Sequence, residues 1–317
     1  MKFVILSPRQ TGGGPIVLHK LCQLLREQGE DAYIFNYGGI SDSRILFFLK
    51  YFKFIIHEII KICYIRILPN SEVAKRNYAG YTYFPVKGCP HWYKPWVGDD
   101  TIVVYPDVVY GNPMHAQKVV RYMLYYNRFP GDNAWYQKSD LFFSYREQFN
   151  DSKLNPTCRI LQIFSFDSDL YKRTNFGKRH GNCYFIRKGS DRTDLPQKFD
   201  GPVLDTLKET EKVRILNQCE RCYSYDTQSF YSIIASLCGC LSIVVPEQGK
   251  TRKDYVTPED HSIGVAFGES PEEIKYALDT QGEIVAGIKR AFERNKMYVT
   301  SFISTCKNYF NKSDGSH

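Results

Sequence analysis

Apolar and polar positions along this chain switch repeatedly between a continuous rhythm and a helical one. Residues 3–6 form a short unbroken apolar run, the pattern of a buried strand. A loop follows over 7–14, ending in Gly12, Gly13 and Gly14, and Pro15 is set to open an amphipathic helix over 15–28. Ile16, Leu18, Leu21, Leu24 and Leu25 are its expected buried positions, and Gly29 ends it. Residues 31–35 then predict a second strand, which completes a β-loop-α-β unit of the nucleotide-binding α/β kind. Further strands are predicted at 101–105, 141–145, 160–164, 183–186 and 241–245, with a helical pattern over 116–126 and again over 274–303. Polar residues over 150–156 suggest a domain boundary, and 311–317 suggest a loose tail. The expected division is therefore 1–155, 156–290, and a C-terminal helix and tail over 291–317 that crosses back to the first domain.

Residues 45–68 depart from both rhythms, being almost wholly apolar or aromatic with Lys50, Lys53, His57 and Lys61 three, four and four apart. A membrane-spanning helix would place those charges in hydrocarbon at a cost on the order of 2.5 to 3.5 kcal/mol for each central one, so a span is not expected. Two readings stay open. The helix lies in the headgroup plane with its lysines on anionic lipid, or it packs on its own domain with the basic stripe in water.

Composition narrows the class. The 317 residues suffice for about two domains with separate cores. With 43% apolar and 24% charged residues, wholesale disorder is excluded. The net charge of +8 comes from scattered basic residues, with no Lys/Arg run, zinc-finger spacing or RNA-binding signature, so a nucleic-acid partner is not expected. No signal peptide is apparent before the first strand, and the ten cysteines are expected as free thiols in a cytoplasmic protein, at the cytoplasmic face of a membrane if the 45–68 helix meets lipid. Cys219, Cys222, Cys238 and Cys240 have a spacing that could hold zinc, but the second pair ends an apolar run, where Cys acts as a small hydrophobe.

Candidate chemistry lies where loops follow strands. Gly12, Gly13 and Gly14 precede a helix whose free N–H groups and dipole suit an anion or a sugar hydroxyl; a ligand-free glycine turn is the alternative. The spacing is not that of a dinucleotide fingerprint, no acidic ribose clamp is evident, and a Walker sequence is absent. Arg187 and Lys188, followed by Gly189, form a cationic pair able to neutralise a diphosphate. Ser224, Tyr225, Asp226, Thr227 and Ser229 crowd the expected start of a helix, offering hydroxyls and amides to phosphate; Asp226 would contact a ribose or act as helix N-cap.

These residues, with the stretches 105–113 (YPDVVYGNP), 119–124 (VVRYML), 187–189 (RKG) and 225–227 (YDT), and the helix signature AxxCGC followed by VVP, carry a resemblance to GT-B glycosyltransferases of bacterial surface-polysaccharide synthesis. The resemblance spans both halves and rests on short motifs. It implies an α/β GT-B fold of two Rossmann-like domains facing across a cleft, with the acceptor mainly on the first domain and a nucleotide-sugar donor mainly on the second. It also implies an oligosaccharide or lipid-linked glycan acceptor, peripheral contact with the inner membrane, no cofactor, and no required metal. Arg187, Lys188 and the helix start would stabilise the departing diphosphate, and an inverting enzyme would need a base in the first domain. Asp107 is the candidate, against a turn-forming role after proline, with His19 and His115 behind it. Retaining members carry two Glu separated by seven residues; here Asp226 and Ile234 stand at those positions, and Ile cannot bind a ribose hydroxyl. Two alternatives accompany this reading. The D-x-D of Asp167 and Asp169 after a predicted strand is similar to the metal site of GT-A glycosyltransferases, and Ile234 suits a non-catalytic glycosyltransferase-like binding subunit.

Overall fold

The computed structural model describes residues 1–8, 13–37, 43–67, 88–127, 136–227, 229–255 and 263–313. It divides into two compact units, Met1–Ser165 with Arg294–His317, and Phe166–Glu293. The first division falls at 165/166 and not at 155/156. Its reason is packing, because Leu161 and Ile163 are buried in the first core and the amide of Phe164 donates to Asn295 at 2.7 Å.

In the first unit, β1 (Lys2–Pro8), β2 (Asp31–Tyr37), β3 (Thr101–Pro106), β4 (Lys118–Met123) and β5 (Leu141–Ser144) form one parallel sheet in the order β2-β1-β3-β4-β5. Parallel sheets are covered on both faces, which is why β1, β3 and β5 are continuous apolar runs. α1 (Gly13–Glu27) begins two residues earlier than expected and packs Leu18, Leu21, Cys22 and Leu25 onto one face; Ile16 is exposed instead. α2 (Arg44–Ile67) covers the other face through Phe47 and Tyr51, the latter stacked 5.1 Å from Phe35. The expected helix thus packs on its own unit; Leu68 and the side chain of Lys61 lie outside the described residues. None of the described helices is long and apolar enough to cross a membrane.

The expected helix over 116–126 is instead β4. Its apolar residues do recur at helical spacing, but Val119 joins one core while Val120 and Tyr122 join the other, the two-sided burial that β-branched and aromatic residues favour. The strand is anchored by Arg121, which is wholly buried. Its Nε donates to Asp140 at 2.7 Å, its two terminal nitrogens donate to the carbonyls of Val109 and Gly111, and its guanidinium lies over the Tyr105 ring.

The second unit holds a four-stranded parallel sheet, β6 (Asn182–Phe185), β7 (Arg221–Ser224), β8 (Leu241–Val244) and β9 (Val265–Phe267), in that order. α3 (Glu209–Leu216) and α4 (Tyr231–Leu237) close a core containing Cys183, Cys219, Cys222, Cys238 and Cys240, while α5 (Pro271–Thr280) brings Ala277 against Ile243 and Ala266. Gly239 leaves α4 at φ +92°, where an L side chain is strained. Arg179 donates to the carbonyls of Leu216, Cys219 and Cys238 and so satisfies the ends of both helices. α6 (Ile284–Ser313) seats Ile284 in the second unit's core and Val299, Phe302 and Cys306 in the first unit's; the helix continues through the start of the expected tail, and 314–317 lie outside the described residues. Both units are therefore Rossmann-like, parallel sheets with helices on both faces.

Candidate functional site

In doubly wound sheets ligands gather at the carboxyl ends of the strands, near the point where strand order reverses. In the first unit that point lies between β1 and β3. Asp107 directly follows β3 and is buried, with its own amide donating to Tyr122 O at 3.1 Å and its Oδ1 accepting from the Leu124 amide at 3.3 Å. Gly14, in the first turn of α1, sits where an added Cβ would touch the Leu124 side chain at 3.4 Å, so the start of α1 approaches the end of the same strand, β4. Gly13 is exposed, and Gly12 lies outside the described residues. The first turn of α1 carries no acidic residue to offset its dipole. Burial, reinforced by the charge of Asp107, pushes the Tyr37 phenol well above its ordinary value, which marks Tyr37 at the end of β2 as a further neighbour.

His19 does not join this group at the surface. It is 2% exposed on the inner face of α1, and burial first, then neighbouring His91, lower it from 6.5 to about 4. His115 is exposed, at φ +51°.

In the second unit β6 and β7 pair in register, Phe185 opposite Ser224, so the segments beyond them leave the sheet side by side. The Tyr225 amide donates to Phe185 O at 2.8 Å. Gly189 is held so close that a Cβ would lie 2.5 Å from the Tyr225 carbonyl oxygen, and only glycine fits there. Arg187 adopts φ +44°, a left-handed conformation that costs a non-glycine residue about 1 kcal/mol or more. Asp205 offsets it by accepting the amides of Ile186 and Arg187, the latter at 2.9 Å. The guanidinium is thereby turned toward Asp226, with Nε 3.6 Å from Oδ2, and lies 4.9 Å from the centre of the Tyr231 ring. The Arg187 side chain is 40% exposed and that of Asp226 only 6%. Lys188, beside it, is exposed.

The helix start differs from expectation. α4 begins at Tyr231, beyond the Ser/Asp/Thr cluster, and Asp226 does not cap it. Its first amides are satisfied within the chain, Tyr231 N by Ser229 Oγ at 3.2 Å and Ser232 N by Ser229 O at 3.2 Å. Ser224 Oγ donates to Asp226 O at 2.9 Å. Tyr225 and Thr227 are half-buried. Positive charge here therefore comes from side chains more than from helix amides. Ile234 is buried in the core, so the second position of the two-Glu pattern faces away from any ligand.

Three neighbours carried no sequence signal. Arg192 donates to the carbonyls of Tyr225, Val245 and Pro246 and pairs with Asp194, tying the ends of β7 and β8 together. Asp205 sets the Arg187 backbone, and Glu209 accepts from Lys212, Tyr171 and Tyr231 beneath the guanidinium, each at 2.7 Å. Burial opposes ionisation of Glu209, but those donors outweigh it and hold its carboxyl below the ordinary value.

Oδ1 of Asp167 accepts the amides of Asp169 and Leu170 at 3.1 Å each, a local turn, and the preceding 160–164 stretch contributes only a bridge from Ile160 to Ser144. The four cysteines of the zinc reading are packed into the apolar core. Among the described residues no group of three or more His, Cys, Asp or Glu is placed to hold a metal ion.

No protein-family model and no curated protein matches the chain. Among solved structures it is similar to an alpha-glucosyltransferase in complex with UDP-glucose and DNA containing an abasic site, at 12% identity over 94% of this chain and 95% of that one, with a TM-score of 0.36. It is also similar to the spinosyn rhamnosyltransferase SpnG complexed with thymidine diphosphate, at 10% identity over 95% and 96%, TM-score 0.30. A third is Acinetobacter baumannii MurG, at 11% identity over 96% and 100%, TM-score 0.30.

Proposed function

We propose that this chain is a GT-B glycosyltransferase that moves a sugar from a nucleotide-sugar donor to a growing, lipid-linked glycan of a bacterial surface, of the O-antigen, capsule or lipooligosaccharide kind. The observation that carries the reading is the pairing of Arg187 with Asp226 at the adjoining ends of β6 and β7. A fixed, partly exposed guanidinium beside a buried carboxylate, with Lys188 next in the chain, suits a nucleoside diphosphate: the cations face phosphate and the carboxylate a sugar hydroxyl.

In this reading the bond between the sugar's anomeric carbon and the diphosphate oxygen breaks, with its electron pair leaving on the diphosphate. Arg187 and Lys188 neutralise that charge through positions fixed before the reaction, without recruiting a metal. Where the configuration inverts, the acceptor hydroxyl forms the new bond to the anomeric carbon and gives its proton to a general base, for which Asp107 is the candidate in the first unit. Gly13 and Gly14 leave the first turn of α1 open to a sugar hydroxyl.

A thermal-shift screen of UDP, TDP and GDP, followed by release assays with the matching sugar nucleotides in EDTA, tests the reading. One diphosphate should raise the melting temperature, since a ligand of the native state stabilises it in proportion to binding. Slow release of that diphosphate should persist in EDTA. Binding by none of the three refutes the donor site, release abolished by EDTA restores the metal-dependent alternative, and binding without release identifies a non-catalytic subunit.

A further inference from the structure

α2 is apolar on two opposite faces, and only one is covered. Taking 100° per residue and Phe47 as the origin, the buried Tyr51 lies within about 40° of it, and both pack on the sheet. Ile45, Leu49, Phe52, Ile56, Ile60 and Ile67 lie between about 140° and 220°, on the reverse side, and each is more than half exposed. They form one row along the whole 24-residue helix, a span of roughly 33 Å at 1.5 Å per residue. Isolated exposed apolar side chains are ordinary, but a continuous row marks a binding surface.

The borders of the row indicate its occupant. Along one flank, between about 240° and 300°, stand exposed Lys53, His57 and Lys50. Along the other, Trp96 stacks on Phe48 at 5.6 Å and Tyr93 is 70% exposed, with its carbonyl fixed by the Tyr51 hydroxyl at 2.5 Å. Lysines on one side and Trp and Tyr on the other are the chemistry of the lipid headgroup layer, where ammonium groups meet phosphate and amphipathic rings sit between water and acyl chain. A second copy of the chain would fit worse, since antiparallel packing of two such helices brings their lysine flanks together.

We infer that the outer face of α2 is a docking surface for an anionic bilayer: the helix lies in the membrane plane with Leu49, Phe52 and Ile56 among the acyl chains and Lys50 and Lys53 on lipid phosphates. This unites the two readings of residues 45–68, because the helix that packs on its own sheet is also the one that meets lipid. It goes beyond the transfer reaction and stands without it.

The test is flotation of the full-length protein with vesicles of phosphatidylcholine alone or mixed with phosphatidylglycerol, at low and high salt, beside light scattering. The wild type should float with the anionic mixture, less with phosphatidylcholine alone, and less at high salt. Leu49→Asp with Ile56→Asp should remain at the bottom while keeping the wild-type circular dichroism and melting temperature, since both positions are exposed. Lys50→Glu with Lys53→Glu should weaken binding on the order of fivefold or more per lysine. The inference is overturned if the wild type fails to float with anionic vesicles, if the Asp variant floats as well as the wild type, or if light scattering shows a dimer that the Asp variant dissociates.

Discussion

At the end of β3 the carboxylate of Asp107 is almost wholly enclosed and tied to the next strand, whereas at the end of β6 the guanidinium of Arg187 is two-fifths exposed and held by a long ion pair. The contrast extends to their surroundings. Near Asp107 the structural charges are buried and matched, Arg121 with Asp140, in a setting of Tyr105 and Tyr136 rings. Around Arg187 the fastening is done underneath, by Asp205 at the backbone and by the Glu209 cluster below, and the charge itself faces solvent. A buried carboxylate suits a group that takes up a proton at one fixed point, while an exposed cation suits a ligand that must arrive and leave. On the proposed reading, the two sheet edges would differ in task as they differ in how deeply each charge is set.

The largest expected effect lies on the buried side. Arg121→Met leaves Asp140 charged and without its partner in the core, where burial already pushes its carboxyl upward, and should cost about 3–5 kcal/mol of unfolding free energy in urea titration. Arg187→Ala removes a two-fifths exposed partner 3.6 Å from the buried Asp226 and should cost less, about 1–2 kcal/mol, in the same assay; equal losses would erase the contrast. Next, Asp107→Asn should lower turnover on the order of a hundredfold with little change in the donor's KM. A parallel rise in KM would assign Asp107 to binding instead.

A third effect separates buried from exposed chemistry by pH. His19 stays neutral in the folded protein down to about pH 4, whereas the unfolded chain takes up that proton near 6.5. Unfolding therefore binds a proton in this window, so the contribution of His19 is full above pH 6.5 and is lost as pH falls toward 4. His19→Asn should flatten that part of the stability–pH curve by on the order of 3 kcal/mol, measured by denaturant titration at each pH. The smallest effect belongs to the exposed side: Arg187→Ala should weaken nucleoside diphosphate binding about tenfold, read as a smaller thermal shift.

How much residue order reveals depends on how directly it encodes each feature. Continuous apolar runs located β1, β3, β5, β6 and β8, because strands buried on both faces leave that signature. The β4 segment misled because its apolar spacing also fits a helix turn, and Arg121, polar in sequence, is core in space. Arg187 and Asp226 could be suspected together since each comes just after a strand, and parallel neighbours deliver their trailing loops to one edge. That Asp205 fixes the backbone of Arg187, or that Arg192 reaches three carbonyls, depends on turn geometry that no local pattern encodes. The two-sided character of α2 was hidden for another reason: a helix apolar all round does not reveal which face its own domain will cover.

The first unit is assembled from two separate stretches of the chain, and this sets the order in which the protein can form during synthesis. β1 pairs with β2 soon after emerging, but its other neighbour begins only at Thr101, and Val299, Phe302 and Cys306, which close the same core, come far later in the chain. The second unit is a single uninterrupted stretch whose strands each find a partner close behind. Contacts between distant segments form slowly, so the half translated second has the means to mature first. The half translated first must wait with Phe3 and Ile5 uncovered on the side of α6, and it is there that a chaperone would find work.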